Sequence, residues 1–222
     1  MQDPEKEDPQ PNSPITFLGG VMETFGISSP TELAIWAIVL CGVGVLLFVG
    51  LRHKAQSQSN MLQAGLSHLL GRGEPQDYRQ AMVCFKKAAD AGSGLAMNNI
   101  GIMYEAGDGV PQSYSKAMVW FQKAAKRDVA DAMNNIGVLY ANGDGVPQDY
   151  QIGMLWFQQG AAIGSAKAML GIAMLYEKGD GVPQDKARAI RWYAKAIMSN
   201  DPQVGPLAKA AIARLQAENP GQ

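Results

Sequence analysis

The chain has 222 residues, 47% of them hydrophobic, a net charge of −1, two cysteines and two histidines. That composition supplies a core, excludes a disulfide scaffold and leaves little material for a histidine metal site. The balanced charge argues against a nucleic-acid binder, which usually shows a strongly basic balance. It also conceals three zones: residues 1–32 carry six acids and one base, 33–51 carry no charge, and 52–222 hold the remaining 18 bases and 14 acids.

Residues 1–14 are charged and Pro-rich, and no fixed fold is expected there. Ile15, Leu18, Met22 and Phe25 follow at near-helical spacing. Residues 15–25 are therefore either a short interfacial helix or, given Gly19 and Gly20, a plain loop. Together 1–29 form an acidic tail.

Residues 33–51 read LAIWAIVLCGVGVLLFVGL, bracketed by Glu32 and Arg52. At ~1.5 Å per residue this run spans roughly 28 Å, about the thickness of a bilayer core. Ser29, Pro30 and Glu32 make a helix start. A transmembrane helix is predicted over 30–54. Arg52 and Lys54 follow the run at once, and no base lies between Lys6 and it. The positive-inside rule then puts the C-terminal part in the cytoplasm and the acidic tail outside, in an inner membrane if the chain is bacterial. Two unpaired cysteines fit a reducing compartment. Ala34, Ala37, Cys41 and Gly44 share one helix face. They are either a helix-packing surface, with self-association through the span, or a chance of composition. Residues 55–59 are a short polar link or a helical continuation.

From residue 60 the chain repeats. AMNNIG stands at 96–101 and 132–137, with AMLGIA at 168–173; GDGVPQ stands at 107–112, 143–148 and 179–184. The offset is 36 each time. Tyr104, Tyr140 and Tyr176 keep that register, as do Trp120, Trp156 and Trp192 and the rings behind them, Phe121, Phe157 and Tyr193. A worn copy precedes these, with GRGEPQ at 71–76, His68 at the Tyr position and Cys84 at the Trp position. Units are placed at 60–95, 96–131, 132–167 and 168–203, and a period of this length predicts a solenoid. Each unit reads as two helices. Gly107 ends the first and Gly109 permits a second unusual turn. Asp77, Ser113, Asp149 and Asp185 are N-caps of the second. Residues 204–222 hold a last amphipathic helix that caps the stack.

The pattern A-x-x-x-I-G-x-x-Y-x-x-G-D-G-V-P-Q, followed by A-x-x-W-F-x-K-A-A, resembles the Sel-one-like repeat, a relative of the tetratricopeptide repeat. The resemblance covers 60–203, strongly in the last three units. It implies an all-α fold: a right-handed α-solenoid of four helix-turn-helix repeats used as an adaptor or scaffold. Some secreted members resemble cysteine-rich proteins linked to β-lactam binding or hydrolysis, with a disulfide in each repeat. This chain has no cysteine pair within any unit. The resemblance also implies that first helices line the concave side. The groove residues are then Leu62, Leu66 and Leu69; Asn98, Ile102 and Glu105; Asn134, Val138 and Asn142; and Leu170, Met174, Glu177 and Lys178. Asn98 and Asn134 are expected to meet a peptide backbone, with Asn99 and Asn135 one step round the helix.

Chemistry finds little support. Asp108, Asp144 and Asp180 offer one or two carboxylates per turn, where calcium wants six to eight oxygens. The tryptophans read as inter-helix core. His68 stands at a Tyr position of a worn repeat, and the sequence shows no Ser–His–Asp or Cys–His arrangement; Cys84 reads as a buried inert thiol, and GDGVPQ lacks the lysine of a phosphate loop. No catalytic residue, metal or cofactor is expected. The function expected is a membrane-anchored protein-interaction adaptor. The alternative is a structural accessory subunit held in a larger membrane complex by its span and tail.

Overall fold

The computed structural model describes residues 30–73 and 75–218, with side chains described from residue 44. The expected tail 1–29 lies outside these residues, as do the side chains of Ala34, Ala37 and Cys41. The elements are α1 (Pro30–Leu70), α2 (Tyr78–Asp90), α3 (Gly94–Ala106), α4 (Tyr114–Ala125), α5 (Ala130–Asn142), α6 (Tyr150–Ala162), α7 (Ala166–Lys178), α8 (Lys186–Met198) and α9 (Val204–Ala217). The described residues contain no strand. Two compact units divide at Ala55 and Gln56.

In the first unit, Val45, Leu46, Leu47, Phe48, Val49 and Leu51 are all exposed. Among the described residues no helix is long and apolar enough to cross a membrane. Of the expected span, 33–43 fall outside the described side chains. Residues 55–59 are helical, within α1, which selects the helical continuation over the link.

The second unit is a stack of α-hairpins, and its turns follow from local chemistry. Gly107, Gly143 and Gly179 end the first helices in the left-handed region, at φ 83, 80 and 81°, each N–H donating to a carbonyl of the preceding turn. Only glycine enters that region without a Cβ penalty. The glutamine closing each GDGVPQ reaches back. Gln112 donates to the Glu105 carbonyl, Gln148 to that of Ala141 and Gln184 to that of Glu177, each at 2.8 Å. In the worn repeat Gln76 does the same to Leu69 at 2.7 Å. The backbone N–H groups of Asp77, Ser113, Asp149 and Asp185 then donate back to the carbonyls of His68, Tyr104, Tyr140 and Tyr176. Their side chains cap α2, α4, α6 and α8 as expected.

The core is a row of aromatic rings facing glycine. A Cβ on Gly65 or Gly101 would stand 2.5 Å from the ring of Phe85 or Phe121, and one on Gly137 2.6 Å from Phe157. Those rings are buried, and Tyr193 with them. The tryptophans differ from the expected core role: they are half-buried and pack on the edge of the neighbouring cluster. Cys84, at that position in the first repeat, is a half-buried free thiol. The last helix buries Val204, Ala208 and Leu215 and leaves Leu207 exposed. Asp201 starts it by accepting from the N–H groups of Val204 and Gln203, which holds its carboxyl below the usual range.

Candidate functional site

Placing α5 directly against α7 brings first helices of successive repeats together. A pocket of about 570 Å³ opens between their C-terminal ends. Its apolar wall is Val138 and Ala141 from α5 and Met174 and Leu175 from α7, with Phe157 of α6 behind. The rim is polar: Asn142, Asp144, Tyr150, Lys178 and Asp180. Four of the groove residues read from the sequence therefore meet in one cavity: Val138, Asn142, Met174 and Lys178.

Gly171 is the reason this cavity reaches inward. It stands where the two preceding repeats have Asn99 and Asn135, and a Cβ there would lie 2.9 Å from the Phe157 ring. Met174 is 41% exposed, so the wall is open to a ligand rather than sealed. Asn142 donates to the Asp144 carboxylate at 3.1 Å, and Gln148 donates to the Tyr150 hydroxyl at 2.9 Å. The rim is thus held in place by short-range bonds.

The other groove residues sit differently. Asn98 and Asn134 are buried, at 7% exposure each. Asn135 Nδ2 donates to Asn98 Oδ1 at 3.1 Å, and Asn134 Nδ2 donates to Asn135 Oδ1 at 3.3 Å. This carboxamide chain ties the second repeat to the third. Asn135 belongs to the same chain, so the two asparagine rows are not independent. Ile102 is exposed, while Leu66 packs half-buried on the first core cluster. Leu62 and Leu69 share that packing, and Leu170 packs near the last helix. Glu177 accepts from the Tyr193 hydroxyl at 2.6 Å and from the Arg214 guanidinium of α9. Burial, and then the Glu177 carboxylate, push the Tyr193 hydroxyl well above the usual tyrosine range. Glu177 is thereby committed to the capping helix, a role its sequence position did not reveal because Arg214 is 37 residues away.

Glu105 reports the electrostatics of the groove. Burial, and secondarily the charge of Asp144 in the next repeat, raise its carboxyl above the usual value. A carboxylate raised in the folded state weakens the fold wherever it is ionised. Glu105→Gln should therefore raise the melting temperature at neutral pH. The gain should vanish near pH ~3, where the group is protonated in both states. Paired thermal melts at the two pH values check this; a variant less stable than the parent at neutral pH would refute it.

Among the described residues no group of three or more His, Cys, Asp or Glu could hold a metal ion.

The Sel1 repeat family model matches residues 61–93, 94–129, 130–165 and 166–201. Its second to fourth units begin two residues before the sequence-derived boundaries, at the starts of α3, α5 and α7. A Sel1 repeat protein from Oxalobacter formigenes is 34% identical, with a TM-score of 0.62 over 69% of this chain and 63% of its own. The antigen c5321 of uropathogenic Escherichia coli, described as protective and displaying an SLR fold, is also 34% identical. Its TM-score is 0.60 over 70% of this chain and 34% of that one. The chain thus spans less than two thirds of either relative. No curated protein matches it. Proteins built from this repeat are generally protein-interaction scaffolds without enzymatic activity. With four matched units covering more than half its length, the chain belongs to the Sel1 repeat family.

Proposed function

We propose that the chain is a membrane-anchored adaptor that holds a protein segment in the pocket between α5 and α7. The pocket carries the reading: an exposed methionine and a valine for desolvated contact, rimmed by a carboxamide, a lysine and two aspartates that can meet a peptide backbone and its charges. The anchor is the apolar run 33–51. What supports it is the uncharged sequence and the exposure of its described portion, 44–51, a continuous apolar surface that water disfavours. Residues 52–222 face the cytoplasm in this reading, because Arg52 and Lys54 flank the run.

The same exposed run also favours a second reading, an accessory subunit held in a larger complex mainly by its span. One experiment separates the two. Full-length protein is solubilised from membranes and its captured partners are compared with those of Met174→Glu and of a chimera carrying an unrelated span. An adaptor loses partner capture by about tenfold or more with Met174→Glu, which puts a carboxylate where the bound partner would desolvate it, and keeps it in the chimera. Capture lost only in the chimera would select the accessory subunit. Protease added to intact cells, or to spheroplasts if there is an outer membrane, should leave 60–222 uncut; cleavage there would overturn the orientation.

A further inference from the structure

Three of the four second helices present a basic solvent face, and the fourth a neutral one. On a helix, positions i, i+1, i+4, i+7, i+8 and i+11 lie on one side. In α2 these are Arg79, Gln80, Val83, Lys86, Lys87 and Asp90. In the α4 register they are Ser115, Lys116, Val119, Gln122, Lys123 and Lys126. In α6 they are Gln151, Ile152, Leu155, Gln158, Gln159 and Ala162, and in α8 Ala187, Arg188, Arg191, Ala194, Lys195 and Met198. All of these are exposed except half-buried Ile152. Three helices thus present three bases each, with one acid, Asp90, among them, and the α6 face has no charge.

A cavity sits beside that neutral face. The recurring spacing of the repeat puts a lysine three residues after the tryptophan in two units. Lys123 Nζ lies 4.1 Å from the centre of the Trp120 ring, and Lys195 Nζ lies 4.0 Å from that of Trp192. In the third unit Gln159 replaces this lysine beside Trp156. There a pocket of about 370 Å³ is lined by Trp156, Met133, Ala125, Gln122, Gln159 and Lys126.

We propose that this outer face binds an acidic segment of a protein partner, whose apolar side chain enters the pocket against Trp156 and Met133. Its carboxylates would meet Lys116, Lys123 and Lys126 on one side of α6 and Arg191 and Lys195 on the other. Arg188 contributes less, because Asp185 already pairs with it at 3.0 Å. Lys123 and Lys195 are held by their tryptophans, so less side-chain freedom is lost on pairing. A nucleic acid, with charge along its whole length, would have to lay phosphates on the uncharged α6. A segment alternating acidic and apolar residues matches basic, neutral and basic helices in turn. This surface is separate from the pocket between α5 and α7 and does not depend on its occupant.

The test uses the full chain in neutral detergent micelles and a dye-labelled synthetic peptide in which Glu-Glu pairs alternate with Leu and Phe. Binding is read by fluorescence anisotropy. The wild type should bind it saturably, and a peptide with Lys in place of every Glu should not bind. Gln159→Lys copies the residue found in the second and fourth repeats and so preserves the fold. It adds positive charge, yet it covers the Trp156 ring, so affinity should fall about tenfold. Lys126→Glu should weaken binding as well, and Leu207→Glu, at an exposed position of the last helix, should leave it unchanged. No saturable binding by the wild type would overturn the proposal. So would a Gln159→Lys variant that binds equally or more tightly, since the face would then act by charge alone. Preferential binding of single-stranded DNA or of phosphatidylglycerol vesicles, insensitive to Gln159→Lys, would assign the face to a different polyanion and overturn it too.

Discussion

Phe121→Ala is expected to lower the stability of the repeat stack by about 3–5 kcal/mol, the usual loss for a fully buried phenylalanine. The ring has no exposed surface. It lies against Gly101 of α3 and within a cluster that includes Met118, Ile136 and Leu139. Gly101 has no side chain and Ala117 only a methyl fixed to the backbone, so the cavity cannot close from their side. The loss also falls at the centre of the stack. In a solenoid each repeat is stabilised by its neighbours, so a weakened second unit loosens its junctions with the first and third. Urea unfolding of the full chain in detergent, followed by far-UV circular dichroism, measures the effect. Trp120→Phe, at a half-buried edge position, is the comparison and should cost much less. Equal losses would mean that the phenylalanine is no more central to the repeat than the tryptophan.

Gly145→Ala should be the second severe change, at about 2–5 kcal/mol. Two costs combine. Gly145 has φ 71°, where an alanine costs roughly 1–2 kcal/mol. Its Cβ would also stand 2.5 Å from the Cβ of Tyr114, and overpacking of that kind costs roughly 1–3 kcal/mol. Tyr114 belongs to the preceding repeat, and its Cβ sits on the backbone, so it cannot swing aside. Gly143→Ala shares the backbone cost at φ 80°, but its Cβ would come no closer than 3.1 Å to Gln148. Gly143→Ala should therefore be the milder of the two. Thermal melts of both variants decide it; the reverse order would show that backbone conformation outweighs the contact between repeats. The same contact recurs at Gly109 with Tyr78 and at Gly181 with Tyr150, so the second glycine of each GDG is where one repeat rests on the one before.

That contact shows why some features were legible in the chain and others were not. Gly107 and Gly109 read as turn glycines because a left-handed residue ends a helix locally, whatever lies around it. Nothing local indicates that Gly109 also supports Tyr78. The tryptophans and the rings behind them have the same period and are both aromatic, so spacing alone does not say which is central. The glycines at 65, 101 and 137 decide it, because each faces the second ring and not the first.

The 36-residue period, the helix caps, the turn glycines and the uncharged run at 33–51 were determined by the sequence itself. Each depends on residues within a few positions of one another, repeated in register or set apart by composition. Only the tertiary structure decided which side chains remain available. Asn98 is taken by Asn135 and Glu177 by Arg214, partners 37 residues away that one repeat's stacking on the next brings into reach. Val138, Asn142, Met174 and Lys178 meet in one pocket because α5 touches α7 and Gly171 leaves room beside Phe157. Trp156 is left without the lysine that covers Trp120 and Trp192. A repeat sequence specifies the unit; the packing of one unit on the next determines which residues it leaves exposed to a partner.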